Sequence, residues 1–238
     1  MDKILISQVH PEWRDAIREA CTKLDPLYLE TLNTQAHCLP RPHQLLAAFT
    51  QPLSSTRYIL FGESPYPREQ SANGFAFWDA AVGSLWSDKG LSKEVNRATS
   101  LRNMIKMLLV ARGQILKEDL SQDAIARLDK SSFAQTASDL FTHMMSIGFL
   151  LLNASLVYSD GQVNYHAKQW RPFIQCILEW LAQNKPSLEL VLFGKIADSL
   201  PKTALPIALK AEHPYNLSFI TNPNFIEFFK PMDILKQS

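Results

Sequence analysis

Two apolar runs and one mixed run in this chain each lead into residues able to do chemistry. Tyr58-Ile59-Leu60-Phe61 stops at Gly62 and is followed by a carboxylate (Glu63), a hydroxyl (Ser64) and a ring (Tyr66), with Pro65 and Pro67 interleaved. Gly148-Phe149-Leu150-Leu151-Leu152 stops at Asn153, and Ile207–Glu212 runs into His213-Pro214. Short runs rich in strand formers and bounded by Gly or Pro read as buried strands, and an open α/β sheet binds its ligand beyond the carboxyl ends of such strands. Gly74-Phe75-Ala76-Phe77 then supplies more aromatic surface than a solvent loop needs. Flat apolar walls with a few polar groups suit a planar heterocycle. Each residue also has a plainer reading: an Asn at a strand end is a common turn former, a lone His is commonly a satisfied surface or core residue, and the phenylalanines fill cores.

The elements that must position these residues follow from periodicity. Leu188–Phe193, closed by Gly194, is a further apolar run, which makes four strands with the three above. Residues 1–35 read as amphipathic helix, with Pro11-Glu12-Trp13 as a helix start and Trp13, Ile17 and Leu24 at near-helical spacing. His43–Phe49 reads as a short helix after the stiff turn Leu39-Pro40-Arg41-Pro42, and Gly83–Gly90 as loop. Ser100 is the expected cap of a helix to about Ala111, whose Leu101, Met104, Ile105, Leu108 and Leu109 form one apolar face. Residues 114–145 read as two exposed helices, with Met144-Met145 as core filling, and His166–Leu181 as another helix. Strands alternating with helices predict a three-layer α/β/α fold around a central, mainly parallel four-stranded sheet. One unit over 1–238 is expected, with an N-terminal helical layer over 1–38.

Composition narrows the function classes. Of 238 residues, 46% are hydrophobic and 20% charged, ordinary globular values. There is no apolar stretch long enough to span a bilayer, and Met1-Asp2-Lys3-Ile4 lacks the basic start and apolar run of a secretory signal. Cys21, Cys38 and Cys176 form no C-x-x-C pair, which argues against a zinc or iron–sulfur site and fits a reducing cytoplasm. The formal net charge of +1 neither demands nor excludes nucleic acid; any DNA contact must be local, with backbone N–H groups and helix N-termini helping. Neither a G-x-S-x-G nucleophile elbow nor a G-x-x-x-x-G-K phosphate loop occurs.

Gly62-Glu63-Ser64-Pro65-Tyr66-Pro67 resembles the G-Q-D-P-Y-H loop of uracil-DNA glycosylases, and Gly74-Phe75-Ala76-Phe77 the G-L-A-F that follows it. Further segments match in the same order. Leu39–Phe49 resembles the Pro-rich segment before the catalytic loop. Ser100–Leu108 resembles S-L-x-N-M-x-K-x-L, Leu150–Leu156 resembles L-L-L-N-x-x-L, and Trp170 and Phe173 resemble G-W-x-x-F. His213-Pro214-Tyr215-Asn216-Leu217-Ser218 resembles H-P-S-P-L-S, and Asn222–Phe229 the closing segment. The likeness covers about Leu39 to Phe229 and is closest to the G-Q-D-P-Y branch. It implies a hydrolase of base-excision repair that flips uracil from single- or double-stranded DNA and cleaves its N-glycosidic bond, as a monomer without cofactor. It implies that Phe77 stacks on the base, that Asn153 reads the O4 and N3–H edge, and that Tyr66 blocks thymine's methyl. His213 would hydrogen-bond O2 as charge builds there, and Leu217 would enter the duplex as a wedge. Ser100 and Lys195 would meet phosphates.

The departures are as specific as the matches. The catalytic Asp of the family falls on Ser64, which can hold a water but supplies no charge. Glu63 stands where a second branch, with G-E-A-P-G in this loop, carries its working carboxylate. Two roles for Glu63 are therefore open: it takes over the charge or water-holding task, or it only orders the loop in place of the family's Gln. The DNA-gripping positions also differ, with Ala98-Thr99 for Pro-Pro, Lys195 for Ser and Tyr215-Asn216 for Ser-Pro, which implies a less rigid loop after His213. Two functions follow from these residues: a glycosylase, fully or weakly active, or a catalytically silent relative that binds uracil-containing or abasic DNA or a protein partner. Whether a protein inhibitor docks is open.

Overall fold

The computed structural model describes residues 6–34 and 37–237. In chain order the elements are α1 (Arg14–Cys21), α2 (Pro26–Thr34), β1 (Tyr58–Gly62), β2 (Trp86–Ser87), β3 (Gly90–Leu91), α3 (Lys93–Arg97), α4 (Thr99–Ala111), α5 (Gln122–Ala126) and α6 (Ala137–Ser146). They continue with β4 (Phe149–Asn153), α7 (Val163–Asn184), β5 (Glu189–Phe193), α8 (Ile196–Ser199), β6 (Ile207–Ala211) and α9 (Pro223–Phe229). The central sheet has the order β4-β1-β5-β6, and every pairing in it is parallel.

Alternation along the strands sorts the core into two layers. Leu60, Phe149, Leu151, Val191, Phe193 and Leu209 point to one face, where they pack with residues of α4, α6 and α9. Ile59, Phe61, Leu150, Leu152, Leu190 and Leu192 point to the other, against α1 and α7 through Trp13, Ile17, Trp170 and Phe173. Strands buried on both faces need near-continuous apolar sequence, which is why β1, β4 and β5 were legible; the edge strand β6 is exposed at Ile207 and Lys210. The chain leaving β1 crosses on the first face to reach β4, and the chain leaving β4 crosses through α7 on the second face to reach β5. Adjacent strands whose connections depart to opposite faces open a crevice at their carboxyl ends. Here that crevice lies between Gly62 and Asn153, which are register partners.

Several local expectations need correction. Gly83–Gly90 is not all loop: Trp86–Ser87 pairs antiparallel with Gly90–Leu91. His43–Phe49 is not an α-helix but belongs to two 3₁₀ turns, Pro42–Gln44 and Ala47–Thr50, as a proline-bounded segment this short allows. Ser100 is not a cap; α4 begins at Thr99, with Ala98 at the N-cap making no side-chain bond. Of the two helices expected over 114–145, α6 is not exposed, because Leu140, Phe141, Met144 and Met145 bury its inner side, and Thr136 and Asp139 form a capping box at its start. The N-terminal region forms two helices, and the expectation for residues 1–5 and 35 lies outside the described residues.

A buried polar pin joins this N-terminal layer to α7. His166 is fully buried; its Nδ1 pairs with the Tyr28 hydroxyl at 2.8 Å and its Nε2 with Ser159 Oγ at 2.7 Å. Burial holds the His166 pKa below its ordinary value. The unfolded chain therefore takes up a proton near pH 6.5 that the folded chain refuses, and stability falls as the pH drops below that point. The slope contributed is at most one proton, about 1.4 kcal/mol per pH unit. Urea unfolding of wild type and His166→Gln at pH 7.5, 6.5 and 5.5 measures it: the variant is less stable at pH 7.5 and its stability falls less steeply with acid. Parallel slopes in the two proteins would remove His166 from the account.

Candidate active site

The pocket at the carboxyl edge is built on close approaches that only glycine permits. A Cβ added at Gly62 would lie 2.4 Å from Asn153 Oδ1 and 2.9 Å from Ala76 Cβ, so the missing side chain is what lets the Asn153 amide lie across the neighbouring strand end. Asn153 is 3% exposed, and its amide has no hydrogen-bond partner among the described residues. The β1–β4 ladder continues past it: Ala154 N–H donates to Gly62 C=O at 2.9 Å and Ser155 N–H to Glu63 C=O at 3.0 Å. These bonds fix the backbone of Glu63 at the mouth of the crevice. Ser64 follows, half-buried, and then the buried Pro65.

The loop from Gly62 to Asp79 is folded back on itself by two clips of equal span. The Tyr66 hydroxyl donates to Phe77 C=O at 3.1 Å, and Arg68 Nη2 meets Asp79 Oδ2 at 3.0 Å. Asp79, 3% exposed, also accepts from Ala81 N–H at 2.9 Å. Burial foremost, and then the Asp79 charge, push the Tyr66 pKa well above its ordinary value, so the phenol keeps the proton it donates. Ala76 N–H donates to Leu151 C=O at 3.1 Å and ties the far limb of the loop to β4. Phe77 takes a left-handed backbone at φ 63, a conformation that costs a non-glycine residue about 1–3 kcal/mol and needs its surroundings to hold it. The bond from Tyr66 does so. The ring is thereby aimed between Phe193, 5.7 Å away in an edge-to-face contact, and His213, 6.1 Å away and tilted by 33°.

His213 depends on a second glycine. Gly194 has φ +66, and a Cβ there would lie 2.8 Å from His213 Cβ. The imidazole Nδ1 accepts from Tyr215 N–H at 3.1 Å, which assigns the ring proton to Nε2. Burial lowers the His213 pKa, while the nearby Glu63 charge partly opposes the shift. The result is a neutral ring at pH 7 that presents an N–H donor next to the face of Phe77. The carboxylate whose charge His213 feels is exposed and forms no hydrogen bond or ion pair with a described residue.

One positioning residue was missed by sequence reasoning. Asn103, fully buried in α4, donates from Nδ2 to Pro214 C=O at 2.8 Å and lies within 3.4 and 3.5 Å of the Tyr215 and Asn216 carbonyls. It braces the loop that carries His213, so that loop is held despite its lost Ser-Pro. The available signal was an Asn among apolar residues in a helix interior, where asparagine is unfavourable unless it bonds something. The Arg68–Asp79 clip left no comparable trace in the sequence. Of the other expected residues, Leu217 is 72% exposed at the start of the 3₁₀ turn Leu217–Thr221. Ser100 lies half-buried in the first turn of α4, and Lys195 is exposed in the turn before α8.

The inner group is thus an aromatic face, a buried amide, a neutral imidazole donor and a carboxylate at the rim. It can hold a flat base, read its edge and stabilise negative charge growing on it. Among the described residues no cluster of His, Cys, Asp or Glu is placed to hold a metal ion, and no helix is long and apolar enough to cross a membrane.

No family model matches the chain. The wild-type UNG of Nitratifractor salsuginis is 41% identical in sequence, with a TM-score of 0.91 over 98% of this chain and 95% of that one. A uracil-DNA glycosylase of Leuconostoc mesenteroides is 26% identical over 222 residues, which cover 88% of this chain and 84% of the relative. The mimivirus uracil-DNA glycosylase, at 18% identity and a TM-score of 0.58 over 87% of this chain and 70% of that one, shares the fold. With 41% identity sustained over nearly the full length of both chains, this chain belongs to the uracil-DNA glycosylase family.

Proposed function

We propose that this chain removes uracil from DNA by hydrolysing the bond between uracil N1 and the deoxyribose C1′, and that the carboxylate serving this reaction is Glu63. The observation that carries the reading is the neutral His213, its Nδ1 occupied by Tyr215 N–H and its donor face set beside the Phe77 ring.

The chemistry follows from where charge develops. As N1–C1′ breaks, the sugar becomes cationic and uracil becomes an anion with charge on O2. The base must first leave the stack. Phe77 then takes its face, and the Asn153 amide donates to O4 and accepts from N3–H, a pairing that cytosine's edge reverses. Tyr66 stands against C5, where thymine carries its methyl. His213 Nε2–H donates to O2 and strengthens as the anion forms. Water adds hydroxide to C1′, and its proton balances the uracil anion. The half-buried Ser64 is a hydroxyl suited to holding that water. Outside the pocket, Leu217 fills the space the base vacates, while Ser100 and Lys195 meet phosphates.

Two features of Glu63 favour the charge role over loop ordering. Its backbone carbonyl, not its side chain, is what the Ser155 N–H holds, so the loop does not need the carboxylate. And the carboxylate is unengaged by described hydrogen-bond partners yet close enough for His213 to feel its charge. A negative group free at the rim has the sign that the sugar cation requires.

Single-turnover release of uracil from a labelled single strand tests this directly. Unaltered protein releases uracil, Glu63→Gln slows release about 10²–10³-fold, the usual effect of losing one preorganised electrostatic group, and Ser64→Asp changes it little. Release unaffected by Glu63→Gln would end the assignment. A protein that binds the strand without releasing uracil would instead be a silent relative. The Asn103 brace makes a separate prediction. Asn103→Ala leaves a buried carbonyl without its donor, at a cost of about 1–3 kcal/mol in urea unfolding. Because it frees the His213 loop, it also slows release on the order of 10²-fold. A variant less stable but equally fast would show that the brace serves the fold alone.

A further inference from the structure

Among the described residues few large apolar side chains are left exposed, and two of them stand two residues apart beside the pocket: Tyr215, 68% exposed, and Leu217, 72% exposed. Leu217 already has a place in the reading above. Tyr215 has none, and its ring makes no aromatic contact with a described residue.

Its backbone, by contrast, is held at every polar group. Asn216 N–H donates to His213 C=O at 2.9 Å and closes a turn with Pro214 and Tyr215 at its corner. Tyr215 N–H donates to His213 Nδ1, and Tyr215 C=O lies 3.4 Å from Asn103 Nδ2. Proline at the first corner of such a turn fixes its φ in advance. The ring is therefore presented to solvent on a rigid mount, and little backbone entropy remains to be lost when something stacks on it. The mount is also the group that sets the proton of His213. Whatever docks on Tyr215 docks close to the donor used in cleavage.

We infer that Tyr215 is a stacking platform for an unpaired nucleobase next to the flipped uracil in the same strand. This inference rests on the uracil-DNA reading of the pocket. A nucleobase is the occupant because the exposed ring is continuous with a site that takes a base from DNA, and because a planar π-face is what a fixed, exposed ring complements. The phenol hydroxyl at the ring's edge stays free to meet water or a phosphate. Tyr215 acts by positioning: it holds the strand in register with His213 and does not touch the reacting atoms.

The test uses single-stranded oligonucleotides that carry 2′-fluoro-deoxyuridine, whose fluorine disfavours the sugar cation and so preserves the bond, with 2-aminopurine on one side of it or the other. Unaltered protein binds and, for one of the two placements, quenches the 2-aminopurine beyond what base flipping gives elsewhere. Tyr215→Ala loses that quenching and binds about 5- to 150-fold more weakly, the effect of removing one base–aromatic stack, while Tyr215→Phe retains both. Tyr215→Ala binding and quenching as the unaltered protein does would overturn the inference while leaving the glycosylase reading intact. No uracil-dependent binding by the unaltered protein would overturn both.

Discussion

At Gly62 there is no room for a methyl group, and most of the pocket depends on that. Parallel register sets Gly62 opposite Asn153, and the bare Cα lets the Asn153 amide and the Ala76 side chain close over the strand end. The same device recurs one strand away, where Gly194 makes space for His213. Two adjacent strand ends thus lack side chains of their own and receive those of their neighbours. The polar residues enter a layer that would otherwise be sealed by the apolar core, and they are held there by backbone and not by flexible side-chain pairing.

Around these two openings, hydrogen bonds decide what each ring can do. Tyr66 bonds the Phe77 carbonyl and sustains its left-handed backbone, so the phenylalanine ring lies beside His213 instead of deep in the core. Tyr215 and Asn103 together determine the proton and the position of His213 from outside the pocket. Burial then keeps that imidazole neutral against the pull of Glu63. In the proposed reaction, a neutral donor next to an anionic rim separates the two charges that glycosidic cleavage creates: the donor would face the leaving base, and the carboxylate would remain for the sugar. On that proposal, the separation would make the serine at position 64 compatible with an active enzyme.

Three of the four strands were legible because burial on both faces forces a distinctive sequence, whereas the edge strand β6 is largely exposed. Near-continuous apolar runs of this kind need no partner to be recognised, and Phe149–Asn153 and Glu189–Phe193 stand within a residue of where apolarity puts them. The start of α4 was off by two residues because the serine that looked like a cap is inside the helix and no side chain caps it. The Trp86–Leu91 hairpin was missed, and the two 3₁₀ turns over 42–50 were read as one short helix, since elements of two to four residues leave too short a pattern. Individual site residues could be proposed from the loops that follow the strands, but their mutual supports could not. Asn103 is 111 residues from the carbonyl it holds; an Asn inside an apolar helix signals that it bonds something, but not which partner.

On the proposed reading, the Gly62–Asn153 approach builds a uracil-reading, bond-breaking pocket. Its most direct measurement is single-turnover uracil release by Gly62→Ala beside Gly83→Ala, a position where an added Cβ meets nothing within 4 Å. Gly83→Ala is expected to keep the wild-type rate, while Gly62→Ala, folded and melting cooperatively, loses about 10²–10³-fold as the Asn153 amide is displaced. Equal rates in the two variants would contradict that reading.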